Sequence, residues 1–334
     1  MRYIKLVLQY DGTAYHGFQR QDPLPTIQSE LERALEIIAS ERIRLVGAGR
    51  TDAGVHALGQ VVSFRTASRI PTDRLPPALN SLLPPDIVML EAAEVPPDFH
   101  ARKSARSKTY RYLVYNWTLP SVFWGRYSHH VKEALSLAAM QEAARRLVGR
   151  HDFAAFRAAG SSVKTSERTI WGLEVLAQPL PREAGPWAGY PWNEARFPAV
   201  RPAGHGDPDG HEEPPGQKKL DDCDKRVGNE EPCGQTYSSA PVHSPAVSDD
   251  AGLAETTSPA LSIAPIPQLL HFIVRADGFL YNMVRIVVGT LLDVGRGRLQ
   301  PEDMEDILQS RDRSRAGATV PAQGLFLERV DYRE

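Results

Sequence analysis

One acidic residue sits among glycines in GAGRTDAGVHALGQVVSF, Gly47 to Phe64. Gly47, Gly49 and Gly54 bracket Arg50 and Asp52, so the backbone there has access to turns and close approaches denied to other residues. A loop of this kind suits a residue that does chemistry. It equally suits a turn in which Asp accepts from its own backbone. A phosphate-cradling P-loop is excluded, because the lysine that loop requires is missing.

FLYNMVRIVVG, Phe279 to Gly289, sets Arg285 among Met283, Val284, Ile286, Val287 and Val288. On a helix, a charge in that stretch either meets a carboxylate or reaches water along its own aliphatic stem. Tyr110 and Tyr112 share a strand face beside Lys108 and Arg111, which fits stacking on RNA bases and fits an ordinary sheet as well. YDGT, Tyr10 to Thr13, has the form of an aspartyl-phosphate hydrolase motif. Those enzymes want a further Asp two positions before Asp11, where Gln9 stands. His205, His211, Cys223 and Cys233 match no standard zinc spacing, so no metal is expected.

The elements that must hold these residues follow from periodicity. Tyr3 to Tyr10 alternates as a half-buried strand, and Thr26 caps a helix with Ile27, Leu31, Leu35 and Ile38 at helical spacing. Strands are predicted over Arg42 to Val46, Gln60 to Arg65 and Asp86 to Val95, with a Pro-interrupted helix over Thr72 to Leu83. The second half repeats this order. Lys108 to Asn116 and Glu167 to Gln178 read as strands around a helix over Glu133 to Val148. A strand (Leu270 to Arg275), two helices (Leu280 to Val294, Pro301 to Ser310) and a closing strand (Leu325 to Asp331) complete it. Two α+β halves account for this order, over 1–100 and over 101–178 with 268–334.

Residues 179–267 differ from the rest. They hold 15 of the 27 prolines and 9 of the 25 glycines, a composition unable to bury enough apolar surface to offset its ordering entropy, so a disordered insertion is expected. They also carry 7 basic and 14 acidic residues, which turns 39 basic and 41 acidic residues overall into 32 and 27 elsewhere. A chain of formal charge −2 therefore has a remainder at +5, compatible with a nucleic-acid partner. Both cysteines fall in that stretch, so no disulfide framework is expected and a reducing cytoplasm fits. The opening MRYIKLVLQY has no signal-peptide core, and Phe279 to Val294 is too short and too charged to span a bilayer.

Six ordered blocks resemble the tRNA pseudouridine synthase A family. They are LQYDGTAYHGFQRQ, GAGRTDAGVHALGQVVSF, FHARKSARSKTYRY, GRHDFAAF, DGFLYNMVRIVVGTLLDVGRG and PAQGLFL, and only residues 179–267 depart from the family pattern. The resemblance implies a pseudouridine synthase fold, with two α+β halves whose mainly antiparallel sheets join around a central cleft. It implies isomerisation of uridines 38, 39 and 40 in the tRNA anticodon arm, without a cofactor, by a homodimer. It makes Asp52 the catalytic carboxylate, Arg50 the group that fills the space of the everted base, and Tyr110 its stacking partner and a candidate for proton handling at C5. Arg285 becomes the partner that keeps Asp52 ionised, and Leu325 lines the pocket.

Overall fold

The computed structural model of the chain describes residues 1–160, 165–180 and 266–332. In chain order the elements are β1 (Arg2–Tyr10), α1 (Ile27–Ala39), β2 (Val46–Gly47), β3 (His56–Thr66), α2 (Leu75–Asn80), β4 (Ile87–Glu94), β5 (Ala105–Asn116) and β6 (His129–Val131). There follow α3 (Leu137–Arg146), β7 (Gly149–Asp152), β8 (Glu167–Pro179), β9 (Gln268–Ala276), α4 (Met283–Gly295), α5 (Asp303–Ser310) and β10 (Leu325–Tyr332).

Local chemistry explains most boundaries. Thr26 begins α1 with a reciprocal cap, its hydroxyl accepting from Ser29 N at 3.3 Å while Ser29 Oγ accepts from Thr26 N at 3.1 Å. α2 accommodates Pro76 and Pro77 because both fall in its first turn, where backbone N–H groups have no intrahelical acceptor. The helix expected from Glu133 starts only at Leu137, since Ser136 Oγ caps Ala139 N at 3.3 Å. The strand expected over Arg42 to Val46 shrinks to Val46–Gly47. α4 starts at Met283 rather than Leu280, after Asn282 turns the chain in a left-handed conformation at φ 58°.

The described strands form one ten-stranded sheet of order β4-β1-β3-β10-β5-β9-β8-β7, with β2 beside β3 and β6 beside β5. Its pairs are antiparallel except β3 with β10 and β5 with β6. The last strand joins the halves: β10 sets Phe326 opposite His56 and Leu327 opposite Ala57 on one side, and Leu327 opposite Tyr110 on the other. The loop that leads into β3 is thereby brought beside the middle of β5.

A single core on one face takes side chains from all five helices, among them Leu31, Leu79, Met140, Val287 and Ile307. A smaller cluster of Leu113, Tyr115, Trp124, Leu269 and Phe326 covers the opposite face. This two-layer, mainly antiparallel arrangement is the α+β architecture expected from the alternation of strands and helices. Residues 181–265, which contain nearly all of the expected insertion together with His205, His211, Cys223 and Cys233, lie outside the described residues. The described residues on either side of it are paired. Pro179 pairs with Gln268 in the β8–β9 ladder, and Leu180 N donates to Pro267 O at 2.8 Å.

Candidate active site

The loop between β2 and β3 is held from below by the chain that follows β1. Phe18 N donates to Thr51 O at 3.0 Å, and Gly54 N donates to Tyr15 O at 3.3 Å. The two backbones touch so closely that a Cβ on Gly12 would lie 2.0 Å from Val55 O. Gly17, at φ 89°, would place one 2.6 Å from Thr51 O. Tyr10 fixes the same loop through its hydroxyl, 2.7 Å from Thr51 Oγ1, and Gln60 Nε2 donates to Gly49 O at 3.0 Å. Burial pushes the Tyr10 phenol up to about 12, so it stays protonated and serves as a strut.

Asp52 stands at the crest of this braced loop. Among the described residues its only charged neighbour is Arg285, whose Nη1 lies 3.8 Å from Asp52 Oδ2, too far for a hydrogen bond. The Asp52 side chain keeps 32% of its exposure, so the carboxylate is reachable. Arg285 resolves the two uses left open by its sequence context, because its side chain is only 17% exposed and its guanidinium is tied on two sides. Nε donates to Val320 O at 2.7 Å and Nη1 to Asn282 Oδ1 at 2.8 Å. Gly289 makes that approach possible, since a Cβ there would lie 1.9 Å from Ala318 O and would hold α4 off the strand-leading segment.

The electrostatic balance at Asp52 sets burial against the charge of Arg285. Burial raises its pKa and the field of Arg285 lowers it, and burial is the larger effect, so the carboxyl sits above its ordinary value. Arg285 offsets part of the desolvation cost without reversing it. The reason is distance: without a direct hydrogen bond, the guanidinium acts on Asp52 through charge alone.

Tyr110, in the middle of β5, is 7% exposed and meets Phe279 edge-on, ring centres 4.9 Å apart. Burial raises its phenol pKa, and the charge of Asp52 raises it further, so Tyr110 is a neutral donor here and not a phenolate. Its hydroxyl and the ammonium of Lys108 both lie 3.6 Å from the position a Cβ on Gly49 would take. Arg50 is exposed and close enough to Arg102 to lower that residue's pKa, after burial, which is the larger cause. Leu325 is buried at the start of β10, opposite Tyr112 and in the core that also contains Tyr110.

Sequence reasoning missed the struts: Tyr10, Thr51, Asn282, the carbonyl of Val320 and Phe279. Asn282 and Phe279 lie inside the segment that drew notice for Arg285, and only the left-handed turn at Asn282 gives them a role. Asp11, set aside as a hydrolase nucleophile because of Gln9, is fully occupied. It accepts from Thr13 N at 3.0 Å, Arg126 Nε at 3.0 Å and Tyr127 Oη at 3.0 Å. His56 Nδ1 lies 3.0 Å from Asp11 Oδ1 and 3.1 Å from Gly12 N, and serves one of the two at a time. Among the described residues His56 Nε2 is buried without a partner, and a bare acceptor there costs less than an orphaned N–H, which favours the proton on Nδ1 and donation to Asp11. Burial alone would raise Asp11; the hydrogen bonds of His56 and Thr13 more than reverse it and hold the carboxyl well below the usual carboxylate range. Among the described residues no three His, Cys, Asp or Glu side chains converge on a point fit for a metal ion.

A family profile described as tRNA pseudouridine synthase matches residues 6–102 and 221–333. A curated relative from Moorella thermoacetica named tRNA pseudouridine synthase A is 40% identical over 331 residues, covering 98% of this chain and 99% of its own. Relatives of the same name from Acetivibrio thermocellus and Syntrophomonas wolfei are each 38% identical, the first over 99% of this chain and all of its own, the second over all of this chain and 99% of its own.

Proposed function

The chain belongs to the tRNA pseudouridine synthase family, and from that premise we propose that Asp52 is its catalytic carboxylate and uridines 38, 39 and 40 of the anticodon arm its targets. A tRNA pseudouridine synthase is an isomerase. The bond from ribose C1′ to uracil N1 breaks, a bond from C1′ to C5 forms, and the proton on C5 is exchanged for one on N1. Atoms balance within the nucleoside, so the protein must supply an electron-rich group for C1′, a place for the loose uracil, and a path for one proton.

Asp52 meets the first requirement. Among the described residues it is the carboxylate at this site that no hydrogen bond occupies, it is partly open to solvent, and Arg285 stands 3.8 Å away to support its charge. That combination is the observation that carries the reading. A carboxylate with a raised pKa is also a better nucleophile toward a sugar carbon than one tied down by donors.

The target base is stacked in the anticodon arm and must be everted before C1′ is exposed. Arg50, exposed on the rim of the same loop, takes the vacated space and meets a phosphate. Tyr110 then offers its ring and a protonated hydroxyl to the everted uracil, with Phe279 supporting it edge-on. Because that phenol is held neutral, its part in proton movement is donation or relay through its hydroxyl. Leu325 closes the apolar side of the pocket. The protein works as a homodimer in the cytoplasm, one tRNA spanning both subunits with its anticodon arm entering a basic cleft.

The test is a position map. Unmodified tRNA incubated with the protein, then labelled with carbodiimide and read by primer extension, is expected to show stops at positions 38, 39 and 40, and none after Asp52→Ala. Stops confined to another arm would overturn the target assignment, and sedimentation as a monomer would overturn the dimer.

A further inference from the structure

Lys108 is a titratable group that the chemistry above leaves without a task. It lies on β5 two residues before Tyr110, and its ammonium shares with the Tyr110 hydroxyl the space over Gly49. Its ladder neighbours are Val330 on β10 and Ala276 on β9, neither of them charged. Arg102 approaches from the segment before β5 and Arg168 from β8, and both act on Lys108 by repulsion. Arg50, from the catalytic loop, acts in turn on Arg102. Just beyond β9, exposed Asp277 accepts from Thr169 N at 3.1 Å, and Gly278 lies against Arg168, a Cβ on it reaching 3.4 Å from that Nε.

Among the described residues, none of Arg50, Arg102 and Lys108 has a carboxylate partner, and Arg168 bonds only to the carbonyls of Thr165 and Glu167. Cations that act on one another with no carboxylate bonded to them are self-repelling, and a part-buried one also loses hydration. Such an arrangement is at its lowest energy when an anion from outside enters it. We propose that Lys108 is a positioning residue that, with Arg102 and Arg168, grips a backbone phosphodiester of the RNA beside the everted nucleotide. The inference rests on the reading of the Asp52 loop as the place where a uridine is everted.

Burial, with Arg102 and Arg168 adding to it, brings the Lys108 amine down to about 8, so the grip has a signature that arginine would lack. The amine is mostly charged in neutral solution and loses its proton on the alkaline side unless phosphate holds it. The experiment compares wild type, Lys108→Met and Lys108→Arg by tRNA binding against salt and pH, by steady-state pseudouridine formation, and by thermal unfolding. Lys108→Met is expected to weaken the Kd roughly tenfold and to flatten the dependence of log Kd on log salt by about one unit. KM rises with it while kcat stays within about twofold, because the phosphate contact is made equally in ground and transition states. Wild-type affinity falls roughly fivefold to tenfold between about pH 6.5 and about pH 9, and the affinity of Lys108→Arg does not.

Unfolding separates this role from a structural one. An unpaired, part-buried cation destabilises the free protein, so Lys108→Met should melt at or above the wild-type temperature. A lower melting temperature, an unchanged salt slope, a fall in kcat without a change in KM, or an alkaline loss of affinity that persists in Lys108→Arg would each overturn the proposal. The wider reading fails separately: a wild-type protein that binds tRNA with the expected slope and pH dependence but forms no pseudouridine leaves the Lys108 grip standing and removes the chemistry.

Discussion

Two aspartates in adjoining loops, Asp11 after β1 and Asp52 before β3, have opposite surroundings. Asp11 receives donors from Thr13, His56, Arg126 and Tyr127, and its carboxyl is held well below the usual range. Asp52 has one arginine at 3.8 Å, and its carboxyl is raised by burial. A carboxylate whose lone pairs are all in use is a fastener, and one whose lone pairs are free is available as a reagent, the role proposed for Asp52. The fastener is also what holds the reagent. Asp11 ties the 10–18 segment to His56, immediately beyond the Asp52 loop, and that segment carries the backbone bonds to Thr51 and Gly54.

The sharpest way to break the comparison is to exchange the roles by mutation. Asp52→Asn should lower the rate of pseudouridine formation by at least about 10⁴-fold, the scale of losing a group that reacts covalently or supports a cationic carbon. Its urea midpoint should stay the same or rise. The sign follows from the pKa: a carboxyl raised in the folded state contributes stability that is full below the unfolded pKa and lost as pH rises through the folded one. At neutral pH an amide therefore costs the fold nothing that the carboxylate had supplied.

Arg285→Gln should act on rate next most strongly, lowering kcat by about 10²-fold, a loss typical of one preorganised charge at a reacting centre. Since the Arg285 charge lowers the Asp52 pKa, its removal should move the acid limb of kcat against pH to higher pH. A limb that stays in place would show that the two groups are not coupled.

Asp11→Asn should instead cost about 2–3 kcal/mol of unfolding free energy, because donors built around a charge lose it. It should leave the rate within about tenfold of wild type. The pH dependence is opposite to that of Asp52. A depressed carboxyl contributes stability that is present above its unfolded pKa and lost as pH falls below it, so acid unfolding of wild type should begin as pH drops below the ordinary carboxylate range. Asp11→Asn should flatten that acid limb in urea titrations followed by circular dichroism.

The smallest effect is expected from the segment outside the described residues. Pro179 and Gln268 already face one another in the β8–β9 ladder. Replacing 182–264 with a short Gly-containing turn should thus leave the melting temperature and the pseudouridylation rate close to wild type. Loss of soluble, active protein would show that the segment takes part in folding or RNA contact.

The strands that carry the site were legible because one or both of their faces are buried, and β1, β5 and β10 lie within a residue or three of where alternation puts them. The exceptions have separate causes. β6 is a three-residue strand, too short for a period, and the start of α4 depends on a left-handed Asn282 that no periodicity registers. At the site, Asp52 and Arg285 stood out as chemically odd residues, but their approach depends on β10 crossing between β3 and β5 and on Gly289 lying flat against Ala318. The raised pKa of Asp52 was unreadable for a further reason. Sequence supplies the identity of a partner, whereas the contest between burial and a charge 3.8 Å away is settled by distance.

The most direct test of the contrast between reagent and fastener is a single-turnover measurement of pseudouridine formation at saturating protein, run together for wild type, Asp52→Asn and Asp11→Asn. The Asp52 variant should form no product above background while remaining folded and binding tRNA, and the Asp11 variant should react at a rate within about tenfold of wild type. An Asp52 variant that reacts at the wild-type rate, or an Asp11 variant that is folded but inert, would contradict it.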